Sequence, residues 1–136
     1  MIIKGSVKQH TVQILMDTGS NVSLVGGELF EKIKNKSDIE AAEFSRVIVV
    51  KGSATAVVGM IRAVIYINNF RTEIKLNILP QFNHEVLLGR DFRNKHVRDI
   101  NFLDKKVMFR DWNTACYRQP KVNAGKRPQN WVRRSI

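Results

Sequence analysis

The sequence has little of what would cross-link a small protein or carry it into a membrane. It holds one cysteine, Cys116, so no internal disulfide can form and a disulfide-stapled secreted scaffold is excluded. No apolar run approaches the roughly 20 residues that span a bilayer. The opening MIIKGSVKQHTVQ lacks the apolar stretch of a signal peptide. No membrane partner is expected, and the cytoplasm is the expected setting. The histidines His10, His84 and His96 lie far apart with no metal-ligand spacing, so no metal or other cofactor is implied. Gly26-Gly27 is not followed by Gly-Lys-Ser/Thr and reads as a flexible turn, not a phosphate loop. Acids are absent from residues 113–136, which carry Arg118, Lys121, Lys126, Arg127, Arg133 and Arg134.

What remains is a domain-sized chain of 136 residues, 43% hydrophobic and 26% charged, with a net charge of +11. Most of it reads as short strands. Residues 12–16 are an apolar run suited to a buried strand, and 22–25 open another. Residues 28–34 have helical spacing, broken by the Asn-Lys-Ser-Asp that follows. The β-branched run 46–51, a turn at Gly52-Ser53, and strands over 54–58 and 61–67 come next. Asn68-Asn69 signals a two-residue hairpin into a strand over 70–79. Residues 85–88 form a short buried strand ending at Gly89, 92–95 a helical turn, and 100–102 with 106–110 a last hairpin. Ile100, Phe102, Val107 and Phe109 alternate along that hairpin so as to line one face. From Asn113 the periodicity stops. The expected organisation is therefore a folded domain over 1–112 and a basic linker or tail over 113–136.

One stretch carries chemistry: Ile14-Leu15-Met16-Asp17-Thr18-Gly19-Ser20. An aspartate at the end of a buried apolar strand sits where its charge is costly. Gly19 permits close backbone approach, Thr18 can hold the turn through its hydroxyl, and Ser20 is placed to donate to the outer oxygen of Asp17. Peptide hydrolysis by this route needs two carboxylates sharing one proton: the ionised one activates water and the protonated one polarises the scissile carbonyl. The chain holds no second Asp-Thr-Gly or Asp-Ser-Gly. A two-fold homodimer, which sets Asp17 beside its own symmetry mate, is the arrangement that completes the pair.

A second motif, Val86-Leu87-Leu88-Gly89-Arg90-Asp91-Phe92, places Gly89 72 residues after Asp17. The two motifs together resemble the retropepsin family: the aspartic proteases of retroviruses and Gypsy-type LTR retrotransposons, and relatives such as the protease domain of the DNA-damage-inducible protein. The likeness covers about residues 4–110. It implies an all-β, small closed barrel-like fold with one short C-terminal helix. It implies an aspartic endopeptidase, active as a homodimer, that cleaves a peptide or polyprotein substrate without metal or acyl-enzyme.

By the same resemblance Asp17 is catalytic and Thr18 locks the two active-site loops across the dimer. Gly19 faces substrate, with Asn21, Gly52 and Ser53 as further substrate-binding positions. Gly89, Arg90 and Asp91 support the active-site loop, together with Thr18, Gly19 and Ser20. Asn21 stands where many retroviral enzymes have an aspartate paired with the arginine that matches Arg90, which weakens that pair. The flap over substrate falls near residues 49–55, with Gly52-Ser53 at its tip. The amino-terminal dimer strand of retroviral enzymes is expected to be missing, so the C-terminal strands build the dimer sheet. Two other readings stay open: a domesticated or degenerate relative kept as a dimerisation or peptide-binding module, and weak nucleic-acid binding through the basic tail.

Overall fold

The computed structural model describes residues 1–16, 19–35, 39–42, 46–48 and 54–119. The first eleven residues, given no strand by the sequence pattern, supply β1 (Ile2–Val7). It forms a hairpin with β2 (His10–Met16), closed by Lys8 and Gln9, both left-handed at φ 47° and 71°. Such a turn matches the twist of paired strands but usually carries Asn or Gly, so Lys-Gln gave no signal. Then follow β3 (Leu24–Gly26), α1 (Gly27–Ile33), β4 (Ile39–Glu40), β5 (Arg46–Ile48), β6 (Ala54–Ala56), β7 (Met60–Ile67), β8 (Phe70–Leu79), β9 (Val86–Leu88), α2 (Arg90–His96), β10 (Val97–Asn101), β11 (Lys106–Phe109) and β12 (Thr114–Cys116).

Six strands close a barrel in the order β1, β2, β9, β3, β8, β7, with β7 returning to β1 through Ser6↔Tyr66 and Val7↔Ile65. β4 extends the sheet beside the start of β7. Period-two burial fills the interior: Ile61, Ala63, Ile65 and Ile67 of β7 point inward while Arg62 and Tyr66 point out. Burying each large aliphatic side chain contributes roughly 1.5–3 kcal/mol. Gly5 marks the corner where β1 serves both β2 and β7. A Cβ there would stand 2.6 Å from both Ile14 Cδ1 and the Tyr66 carbonyl oxygen. The Asn68-Asn69 hairpin forms as expected, with Asn68 left-handed at φ 53°.

The structure departs from the sequence reading in four places. Among the described residues it has two short helices where the resemblance implied one: the helical spacing read at 28–34 is α1, in which Leu29 and Ile33, four apart, bury one side. Gly26-Gly27 is not a flexible turn. A Cβ on Gly26 would meet the His84 carbonyl oxygen at 2.2 Å and one on Gly27 that of Pro80 at 2.4 Å, so this pair lets two backbones touch. Phe102 does not line the hairpin's inner face with Val107 and Phe109; it lies in the β10–β11 turn and is 70% exposed. That turn is built by Asn101, whose Oδ1 accepts the N–H groups of Leu103 and Asp104.

Finally, residues 113–119, read as the start of a linker, pack on the body. β12 pairs with β11, Ala115 and Tyr117 (6% exposed) enter the core, and Ile2 and Arg118 exchange backbone hydrogen bonds of 2.8 and 3.0 Å. A four-residue alternation of small and amphipathic residues is too weak a pattern to stand out beside a charged tail. Residues 120–136 lie outside the described residues.

Candidate active site

Three strands converge on the site. β2 and β9 run parallel with Ile14, Leu15 and Met16 opposite Val86, Leu87 and Leu88. β3 runs antiparallel to β9 and parallel to β8. The last residue of the first motif's strand, Met16, is thus the register partner of Leu88, the last before Gly89. Two segments far apart in sequence leave the sheet side by side. Asp17 and Thr18, and the expected flap tip Gly52-Ser53, lie outside the described residues.

Gly19 and Ser20 are described, and the loop they begin is braced by α2. The Ser20 carbonyl accepts the Arg90 N–H at 2.7 Å, and the Asn21 carbonyl accepts the Asp91 N–H at 3.3 Å. Gly89, the cap of α2, lets the loop come this close: a Cβ there would stand 2.5 Å from the Val22 oxygen and 2.7 Å from the Ser20 oxygen. Ser20 is 1% exposed, and its hydroxyl donates to the Val22 carbonyl at 2.8 Å; the bond to Asp17 that the sequence suggested falls on a residue outside the described ones. One hydroxyl has one proton to give, and here it closes the loop's own turn. The Arg90 N–H and the Asn21 carbonyl are backbone members of this junction, and Asp91 joins it with its N–H and its side chain.

The centre of the junction is Ser23, which sequence reasoning missed. Its N–H and hydroxyl donate to the two carboxylate oxygens of Asp91 at 3.0 and 2.7 Å. The same hydroxyl accepts the Gly89 N–H at 3.1 Å. Its carbonyl accepts both the backbone N–H and the side-chain Nδ2 of Asn77 on β8, each at 3.0 Å. Asp91 Oδ1 also takes the Phe92 N–H at 2.7 Å, a favourable place for negative charge at a helix start. Ser23 and Asn77 are buried polar residues interrupting apolar strands, and that interruption was the available signal.

Beside the loop, on the face of the sheet away from the barrel interior, Leu24, Val57, Leu79 and Leu87 form a second apolar cluster. Leu15, Val22, Ala42 and Phe82 pack on it, only partly buried. His84 borders this region, its ring 5.3 Å from that of Phe82, and desolvation lowers its pKa below the usual 6.5. Among the described residues no group of three His, Cys, Asp or Glu side chains converges as metal ligands. No helix among them is long and apolar enough to cross a membrane.

The fold is shared with solved structures. The retroviral protease-like domain of Ddi1 from Leishmania major superposes with a TM-score of 0.71 at 12% identity, over 88% of this chain and 94% of that one. The EIAV protease, solved with the inhibitor HBY-793, gives 0.57 at 14% identity, over 69% of this chain and 85% of that one. At such identities the likeness speaks for the fold alone, which is the retropepsin fold. No curated protein matches the sequence. The family described as "gag-polyprotein putative aspartyl protease" matches residues 3–95. That span is more than half of the chain and includes both motifs with the junction between them, so the chain belongs to this family of gag-polyprotein aspartyl proteases.

Proposed function

We propose that the chain is an aspartic endopeptidase, active as a homodimer, in which Asp17 of each subunit supplies half of the catalytic pair. The observation that carries this reading is the register of Met16 with Leu88, together with the bracing of the Gly19–Ser20 loop by Gly89, Arg90 and Asp91. A loop tied at this many points gives the firm footing that a shared-proton pair requires. Water activated by the ionised aspartate attacks the peptide carbonyl, polarised by the protonated one; the amine leaves with a proton, and neither metal nor acyl-enzyme takes part.

Thr18 ties the two loops across the dimer and Gly19 and Asn21 line the substrate path in this reading. The antiparallel pair β5–β6 carries the flap whose tip is Gly52-Ser53. The half-covered apolar surface of Leu15, Val22, Ala42 and Phe82 suits apolar substrate side chains. Dimerisation through the C-terminal hairpin is supported by β10, an edge strand of its sheet, and by the exposure of Phe102 and of Leu103 (95%) at the hairpin turn. The substrate we assign is the polyprotein of a retroelement, after the family's own description. The exposed free thiol of Cys116 suits a reducing, cytoplasmic setting.

The test is cleavage of the precursor by purified protein, with and without pepstatin. Asp17→Asn should lower the rate by more than about 1,000-fold while the chain stays folded. Specific activity of the wild type should fall on dilution as dimers part. An Asp17→Asn protein that still cleaves, or activity independent of concentration, would end this reading. Folded wild-type protein with no turnover would favour the peptide-binding module.

A further inference from the structure

Two hollows lie end to end on the outer face of the β1–β2 hairpin. The inner one, about 300 Å³, is lined by Leu15, His84 and Glu85 among others, and so begins one residue before Met16. The outer one, about 630 Å³, reaches Lys4, Tyr117 and Arg118. Both share Ile2, Gln13 and Glu85, so they form one continuous groove. Its floor follows the strand register, Ile2 opposite Leu15, then Lys4 opposite Gln13. Its outer wall exists because residues 116–118 fold back against β1.

Charge divides the groove. The Glu85 carboxylate, where the hollows meet, is engaged by the Gln13 N–H at 2.7 Å. The outer half is lined by two cations, Lys4 and Arg118, against the one carboxylate of Glu85 at its inner edge, so cations outnumber acids there. Gln13 lies three residues from Met16, about 10 Å along an extended strand. A peptide leaving the active site along this groove brings its side chain at about the third or fourth residue from the scissile bond to Lys4 and Arg118. The basic residues 120–136 are a poor occupant, since they carry cations toward cations.

We infer that this groove is an extended substrate-binding site, in which Lys4 and Arg118 select an acidic residue three or four positions from the cleaved bond. The inference rests on the peptidase reading and deepens it. In a two-fold dimer one groove lies at each end of the substrate, so the acid acts on either side of the bond.

The test uses the full chain and peptides of one sequence with Glu, Gln or Lys at the third and fourth positions from the bond. Wild type should prefer Glu over Lys by about five-fold in kcat/KM, the scale of an exposed ion pair, and the preference should shrink with salt. Lys4→Glu and Arg118→Glu should each erase or reverse it through KM, with kcat unchanged; the milder Lys4→Gln and Arg118→Gln should halve it. Labelled peptides titrated onto the Asp17→Asn protein should show the same ordering in Kd, which separates the groove from turnover. An unchanged Glu preference in all four variants, or no Glu preference in wild-type Kd, overturns the groove. Cleavage that survives Asp17→Asn overturns the catalytic reading instead.

Discussion

The two ends of α2 are held by opposite chemistries. At its start, Gly89, Arg90 and Asp91 meet the 20–23 loop through directional hydrogen bonds centred on the buried Ser23. At its end His96, with Phe92 one turn earlier on the same face, packs into an aromatic group with Phe70 and Phe109. The rings of Phe70 and Phe109 stack at 4.2 Å, and that of Phe92 meets Phe70 edge-on at 5.9 Å. Hydrogen bonds fix position and cost much when a partner is lost; aromatic packing contributes area and dispersion but tolerates small shifts. The first end serves geometry next to the candidate catalytic loop. The second secures the C-terminal sheet to the barrel.

The sharpest way to break the second end is to remove what lies behind it. A chain ending at Trp112 loses β12, the buried Ala115 and Tyr117, and the cover over Val107 and Phe109. The expected cost is at least about 5 kcal/mol, as much as many small domains possess, and circular dichroism should report an unfolded protein. A chain ending at Gln119 should melt like the full-length one. If the shorter chain melts normally, β12 is ornamental.

Phe109→Ala should cost about 3–5 kcal/mol in denaturant unfolding, because the ring is fully buried between Phe70 and Phe92. Whatever remains folded should keep its kcat. Ser23→Ala should cost less, about 1–3 kcal/mol, by leaving the Gly89 N–H without its acceptor and removing one of the three donors to the Asp91 carboxylate. Its mark should be the reverse: kcat lowered by about ten-fold or more at temperatures where the fold persists. Equal effects of the two substitutions on kcat would dissolve the distinction between the ends.

The smallest expected effect is on pH. Burial, then Lys95 and Arg110, hold the His96 pKa below 6.5, with Asp111 opposing, and burial lowers that of His84. The unfolded chain therefore takes up these protons first. Stability is unaffected above pH 6.5 and declines as pH falls through 6.5 toward the folded values. The melting temperature should drop as the pH falls below 6.5, and less steeply in His96→Gln. Identical slopes would show that His96 titrates freely.

Much of this was legible in the sequence. Apolar runs of period two and the Asn68-Asn69 turn were enough for a chain of short strands, and the resemblance carried by the two motifs implied the barrel and the residues to watch, because each motif is a local pattern. Three things were not legible, for one reason: they depend on which distant segments meet. Ser23 looks like a strand's opening residue until Asp91, 68 residues on, closes around it. Ala115 and Tyr117 look like tail until β11 gives them a face to bury. Gly26-Gly27 looks like a turn until the carbonyls of Pro80 and His84 come against it.

Sequence by itself determined that this chain carries one Asp-Thr-Gly at the end of a buried strand and no second copy of it or of Asp-Ser-Gly. It also determined the charge and the strand periods, since composition and alternation are properties of the chain alone. Only the tertiary structure decided that Met16 and Leu88 end side by side, that Gly89 admits the loop within a hydrogen bond of α2, and that residues 116–118 return to wall a groove beside β1. Those are pairings between residues 66 to 116 positions apart. No local pattern encodes such a pairing; it is selected by the joint burial of both partners.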